Sequence, residues 1–294
     1  MKYIDSAQVQ KKMSSRLLYN QILKSLFFLS TLVGLVVLII LFYRVISQSI
    51  GWIDLSFITN KLSTVPERAG IMGAILGTVW LMIVVAPITL FLGVGTAIYL
   101  EEYAKKSKLQ SFIQTNISNL AGVPSIVFGI LGLTIFVRAA GFGNIILAGG
   151  LTMALLVLPI VVVSSQEAIR AVPSFLREAS YAMGANKWQT IVKVVLPAAL
   201  PGILTGTILA LSRAIGETAP LVAIGIPALL IPFPGGIFDK FTVLPMQIYY
   251  WTIDSALVAE YANLAAATIV ILLFVLFAMN SIAIFIRNKF QQRY

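Results

Sequence analysis

The chain has 294 residues, of which 59% are hydrophobic and only 11% charged, with a mean hydropathy of +0.95 and a net charge of +10. That balance excludes an ordinary soluble globular domain and points to a chain that crosses a bilayer repeatedly. Cysteine and histidine are both absent, which excludes disulfides, thiolate or imidazole metal sites and Cys- or His-dependent hydrolysis. The basic residues do not gather into a nucleic-acid patch; they fall at the ends of apolar runs, as membrane topology requires.

In chain order, Lys2, Lys11, Lys12, Arg16 and Lys24 precede an apolar run over Ser25–Tyr43, read as a retained first span rather than a cleaved signal peptide. A polar connection follows from Arg44 to Glu67, with Trp52 as an interfacial anchor. The uncharged stretch Ala69–Leu100 is interrupted by Pro87, and Glu101 to Lys106 reads as a solvated interfacial segment. A third span is expected within Leu109–Val137, where Pro124 frees a backbone carbonyl and Ser125 is a candidate substrate contact. The fourth lies within Ile145–Gln166, the fifth begins at Pro197, and the sixth covers Ala262–Ile286.

Thr218–Phe238 is also uncharged, but Pro220, Pro227, Pro232, Pro234, Gly225, Gly235 and Gly236 argue against a seventh span. Charge parity agrees. Six spans put fifteen basic residues on the side of the two termini, and leave Arg44, Lys61, Arg68, Arg138 and Lys240, five residues, on the other. The positive-inside rule then makes both termini cytoplasmic. A short helix is expected near Val243–Thr252, with Tyr249, Tyr250 and Trp251 at headgroup depth. The expected architecture is an all-α, polytopic membrane protein of six transmembrane helices. It divides into residues 1–68 (terminus, first span and external connection) and a 69–294 core containing a cytoplasmic segment, 167–196.

That segment is polar and patterned. Ser174 is placed to cap a helix over Phe175–Met183, with Glu178 in its early turns. Gly184 stops the helix, and Asn186 with Gln189 has capping-box spacing for a second one. Tyr181 and Trp188 supply buriable surface of the kind that interfaces use. The next span carries two stripes. Gly202, Gly206, Ala210 and Ala214 form a small-residue face for close helix approach. Leu209, Arg213 and Glu217 form the adjoining stripe, with Arg213 roughly 24 Å along the helix from Pro197 at 1.5 Å per residue. An ionisable pair inside a span is costly and marks function unless it is a structural ion pair. Arginine keeps its charge and offers a planar fork suited to oxyanions.

Glu178-Ala179-Ser180, then Gly184, then Val194-x-Leu196-Pro197 resembles the E-A-A-x3-G-x9-I-x-L-P loop of ABC importer permeases, with Ser180 and Val194 as departures. The string from Ser212 to Leu221, S-R-A-I-G-E-T-A-P-L, resembles the PstA-type permeases of phosphate importers, as do Gly122–Gly129, Leu158–Val161 and Leu244–Tyr249. The likeness runs from about Thr64 to the C-terminus. It implies a type I ABC importer permease fold in a bacterial cytoplasmic (inner) membrane, moving inorganic phosphate without bond chemistry of its own. It also implies Glu178, Ala179, Ser180 and Gly184 as the ATPase-coupling residues, and Arg213, Glu217 and Ser125 as the substrate pathway. The implied partners are a C-type homologous permease, an ATPase dimer and an external phosphate-binding protein. No G-x4-G-K-[ST] loop occurs here, so no cofactor is expected in this chain and ATP with Mg belongs to the ATPase subunit. A sulfate or molybdate permease, the C-type partner itself, a proton-coupled secondary transporter using Glu217 and a membrane scaffold or sensor without flux remain the alternatives.

Overall fold

A computed structural model describes residues 6–105, 107–227 and 233–290. Lys2, Lys106 and Arg293 of the charge balance, and Pro232 of the proline-rich stretch, lie outside the described residues. The helices in order are α1 (Ser6–Ser49), α2 (Leu55–Thr59), α3 (Met72–Ile98), α4 (Lys108–Leu120), α5 (Ser125–Gly132), α6 (Ile146–Arg170), α7 (Ser174–Ala182), α8 (Lys187–Thr190), α9 (Leu196–Ile215), α10 (Ala219–Ile224), α11 (Leu244–Asp254) and α12 (Glu260–Phe290). Five stretches are long and apolar enough to cross a bilayer: Arg16–Ser49, Met72–Tyr103, Ile146–Arg170, Lys187–Ile215 and Glu260–Lys289. A sixth crossing arises if the α4–α5 pair counts as one broken span.

That pair corrects the expectation of a single span over Leu109–Val137. Lys108–Leu120 and Ser125–Ala139 meet at 102°. Gly122 and Val123 close the end of α4 by bonding back to the carbonyls of Asn119 and Leu120. Pro124 then holds extended geometry and disfavours helix at the residue before it. Pro87, by contrast, does not interrupt α3, which runs unbroken through it. A helix enclosed by neighbours tolerates the one lost ladder bond.

The middle of the molecule is α6, the most enclosed of the long helices, packed against α3, α5 and α9. Close approach is built from small residues. A Cβ on Gly202 would lie 2.8 Å from the Cβ of Ala168, and one on Gly206 2.5 Å from that of Ser164. Ala210 and Ala214 continue the same buried face. The small-residue stripe therefore packs α9 onto α6. Helix α1 is largely exposed from Arg16 to Arg44 and touches α12.

No helix of spanning length occurs among the described residues of Thr218–Phe238; α10 stops at Gly225, whose φ of +78° is left-handed. Helix α11 forms as expected, and one of its faces is buried. Leu244, Gln247 and Trp251 recur at helical spacing and are buried, with Trp251 against Phe57 at 6.2 Å between ring centroids. Leu244 N donates to Thr78 Oγ1 on α3. Trp251 thus packs in the cluster between α2, α3 and α12.

Candidate functional site

At the end of the molecule where α6 stops and α9 begins, the chain makes a bent helical pair. Helix α7 starts at Ser174 after Pro173, which occupies the N-cap position and has no side-chain acceptor to offer. Ser174 is therefore the first helical residue, not the cap. Gly184 turns the chain with φ +83°, and Gly184 N donates to Tyr181 O while Ala185 N donates to Ser180 O. Asn186 and Gln189 form the reciprocal capping box at 2.8 and 2.9 Å. Ser180 Oγ lies 2.9 Å from Thr190 Oγ1 and ties the two halves together. Glu178 and Ala179 are exposed, as are Phe175, Tyr181, Met183 and Trp188, so a carboxylate sits within an apolar, aromatic outer face.

The second half is not a separate short helix. It continues through a π turn, Ile191–Val195, into α9, giving one run from Lys187 to Ile215. Leu196 N bonds to Ile191 O, one residue further back than in an α-helix. This wider turn falls immediately before Pro197, whose ring would otherwise crowd the carbonyl four residues earlier.

Glu101 and Glu102, expected to be solvated, are enclosed. They sit in a second π turn, Tyr99–Tyr103, at the end of α3. Glu101 accepts from Arg170 Nη2 at 2.7 Å, Arg170 Nε at 2.8 Å and Gln166 Nε2 at 2.8 Å. Glu102 accepts from Arg177 Nη2 at 2.9 Å and Nε at 3.2 Å, and its side chain is 9% exposed. Arg177 also donates to the carbonyls of Val172 and Ile169, capping the end of α6. Gln166 pairs with Gln114 of α4, and Lys187 Nζ stands 4.9 Å over the Tyr103 ring. The available signal was parity: the carboxylates after α3 and the arginines after α6 fall on one side of the membrane.

Arg213 and Glu217 lie at the opposite end of α9. Sixteen residues of regular helix after Pro197 carry Arg213, but α9 closes at Ile215 with Gly216 as its cap. Glu217 N turns back to Ala214 O, so Glu217 is off the helix and does not continue the Leu209–Arg213 stripe. The pair is loose, with Arg213 Nε 4.0 Å from Glu217 Oε2, and the Arg213 side chain is 58% exposed in the isolated chain. Leu209 is exposed on the same side, opposite Ala210 and Ala214. Ser212 Oγ lies 2.7 Å from Asn280 Oδ1, joining α9 to α12.

Ser125 is the half-buried first residue of α5, just past the bend. Phe128, one turn on, belongs to the large buried cluster that also holds Ala210 and Ala214, and α5 itself packs on α10 and α6. No hydrogen bond joins Ser125 to Arg213 or Glu217 among the described residues. From Lys187 to Arg213 is about 39 Å along the helix, so the bent pair and Arg213 lie at opposite ends of this run. Among the described residues, no three Asp or Glu side chains converge as a metal site would require.

Residues 89–293 match the family described as "Binding-protein-dependent transport system inner membrane component". The chain is 38% identical over 217 residues to "Phosphate transport system permease protein PstA 1" of Mycobacterium tuberculosis, covering 71% of this chain and 70% of that one. It is 32% identical over 285 residues to the PstA phosphate transport permease of Yersinia pestis, covering 95% and 94%. Among solved structures, an inward-facing MetNI methionine ABC transporter superposes with a TM-score of 0.61 at 18% identity, covering 76% of this chain and 96% of that one, a likeness of fold. The family match extends through both ends of α9. The chain belongs to the family of inner membrane components of binding-protein-dependent transport systems, as an ABC importer permease subunit.

Proposed function

We propose that this subunit carries inorganic phosphate inward across a bacterial cytoplasmic membrane, with both its termini cytoplasmic. It pairs with a homologous C-type permease and receives phosphate from an external binding protein. An ATPase dimer that binds ATP and Mg docks on the face bearing Glu178, Ala179, Ser180 and Gly184. The subunit itself catalyses no bond chemistry. Residues 69–294 serve as the permease core, and residues 1–68 as an accessory helix with its external connection.

The observation that carries the reading is the state of Arg213. The arginines at the coupling end hold their carboxylates at 2.7 and 2.9 Å, whereas Arg213 stands 4.0 Å from Glu217 with most of its side chain exposed. A structural ion pair within a membrane protein needs tight geometry to offset desolvation. A loose pair leaves the guanidinium fork available to an oxyanion. Phosphate near neutral pH still carries a proton, so Glu217 accepts a hydrogen bond from it while Arg213 holds the anionic oxygens. Sulfate, which carries no such proton, meets like charge at Glu217. Phosphate transport by the relatives supports the same substrate.

The test is uptake by the assembled complex in proteoliposomes. Arg213→Gln is expected to abolish phosphate uptake, and Glu217→Gln to erode the preference for phosphate over sulfate, both with assembly intact. The double variant Arg213→Glu with Glu217→Arg assembles but does not transport. Near-normal uptake by that double variant reduces the pair to architecture and overturns the assignment.

A further inference from the structure

We infer that the Tyr99–Tyr103 turn fixes the angle at which the coupling segment is presented, with Glu102 and Arg177 as its positioning residues. The inference rests on the reading of α7 and α8 as the ATPase-docking segment. It concerns a contact inside this chain, on the side of the segment away from the exposed docking face.

Three fastenings meet at this single turn. Arg177 belongs to α7, adjacent to Glu178, and grips Glu102 with two nitrogens. Lys187 opens the second half of the segment and lies over Tyr103. Arg170, the last residue of α6, holds Glu101 at 2.7 Å, with Gln166 beside it. Glu101 and Glu102 are consecutive in this turn, so their side chains diverge around the helix axis and face different arginines.

The chemistry shows that the contact is more than incidental surface charge. An exposed ion pair contributes little and is readily exchanged for water. Glu102 is enclosed, and a carboxylate withdrawn from water is costly unless its partner stays in place. Arg177 is committed as well, because it also donates to the carbonyls of Ile169 in the last turn of α6 and of Val172 just beyond it. A tilt of α7 must therefore move α3 and α6 with it or break a buried, hydrogen-bonded charge pair. The chain itself joins the segment to α6 through Ala171–Pro173 and to α9 through α8 and the Ile191–Val195 turn. The clamp adds α3, which packs against both.

The experiment uses the full complex with its ATPase and binding-protein partners in proteoliposomes, with inorganic phosphate as the transported ion. Glu102→Gln keeps the shape and an acceptor oxygen but removes the charge; Arg177→Gln removes the fork. Each is expected to retain the ATPase on purification, yet to lose at least tenfold in phosphate moved per ATP hydrolysed. The combined variant loses no more than the worse single one, which marks one shared interaction. Glu102→Asp, which keeps the charge, recovers part of the ratio. A merely structural role predicts lower assembly with an unchanged ratio in the complexes that survive, and that result overturns the inference. If Glu102→Gln does not assemble, Tyr103→Leu decides: a lowered ratio supports the clamp and a normal one refutes it. Gly184→Val separates the two levels. If it transports normally, the docking reading itself fails; if it is inactive while Glu102→Gln is normal, only the clamp fails.

Discussion

Gly184 offers the cleanest perturbation of the coupling segment, because the structure separates backbone cost from bulk. Its φ is +83°, and a Cβ built there meets nothing within 4 Å. Size is therefore not the obstacle; conformation is. An L-residue in left-handed geometry costs about 1–2 kcal/mol, partly offset by about 0.4–1 kcal/mol from the stiffer unfolded chain. Alanine should then cost about 1 kcal/mol net. Asparagine and aspartate, which tolerate this region, should cost less, and a β-branched valine should cost about 2 kcal/mol or more. A cost of one to two kcal/mol corresponds to a factor of about 5–30 in the ratio of correctly bent to displaced segment. Uptake and ATPase retention should both fall in the order Gly, Asn, Asp, Ala, Val, with membrane insertion unaffected. Valine performing as well as glycine, or alanine performing worse than valine, would refute the backbone argument.

Two further predictions follow from packing and topology. Gly206→Ala should lower the Tm of the solubilised complex, since overpacking against Ser164 costs about 1–3 kcal/mol against about 1 kcal/mol gained in helix propensity; Gly95→Ala, whose Cβ meets nothing within 4 Å, should hold or raise it. A reporter fused at the C-terminus should read cytoplasmic and one inserted near Gly235 external, and a cytoplasmic signal at Gly235 would sink the orientation argued from charge.

The features legible from sequence were those whose physics is local. The left-handed stop at Gly184, the Asn186–Gln189 box and the small-residue face of α9 each depend on residues within a few turns of one another. The misread features depended on where a periodic pattern stops. Projecting the Leu209–Arg213 stripe to Glu217 ignored Gly216, which ends α9 first. Averaging apolarity over Leu109–Val137 concealed the corner that Gly122 and Pro124 make, and with it the polar face of α4. The burial of Trp251 was legible in its helical spacing with Leu244 and Gln247, which marks one inward face of α11. The enclosure of Glu101 and Glu102 had no local signature, because their partners lie 65 to 75 residues away.

The Ile191–Val195 π turn bears on how one helix could meet both roles proposed for it, docking at one end and phosphate contact at the other. Trp188 and Arg213 are 25 positions apart on the continuous run Lys187–Ile215. At about 100° per residue, an unbroken α-helix would bring them to within about 20° of the same face. The Ile191–Val195 turn accommodates one extra residue and rotates everything beyond it by about 100° relative to that register. Trp188 and the Arg213 fork thus face different directions, while Gly202 and Gly206 keep their approach to α6. A single additional residue reconciles the register of α9 with that of the segment before it. Neither requirement has to be met by the same helical face.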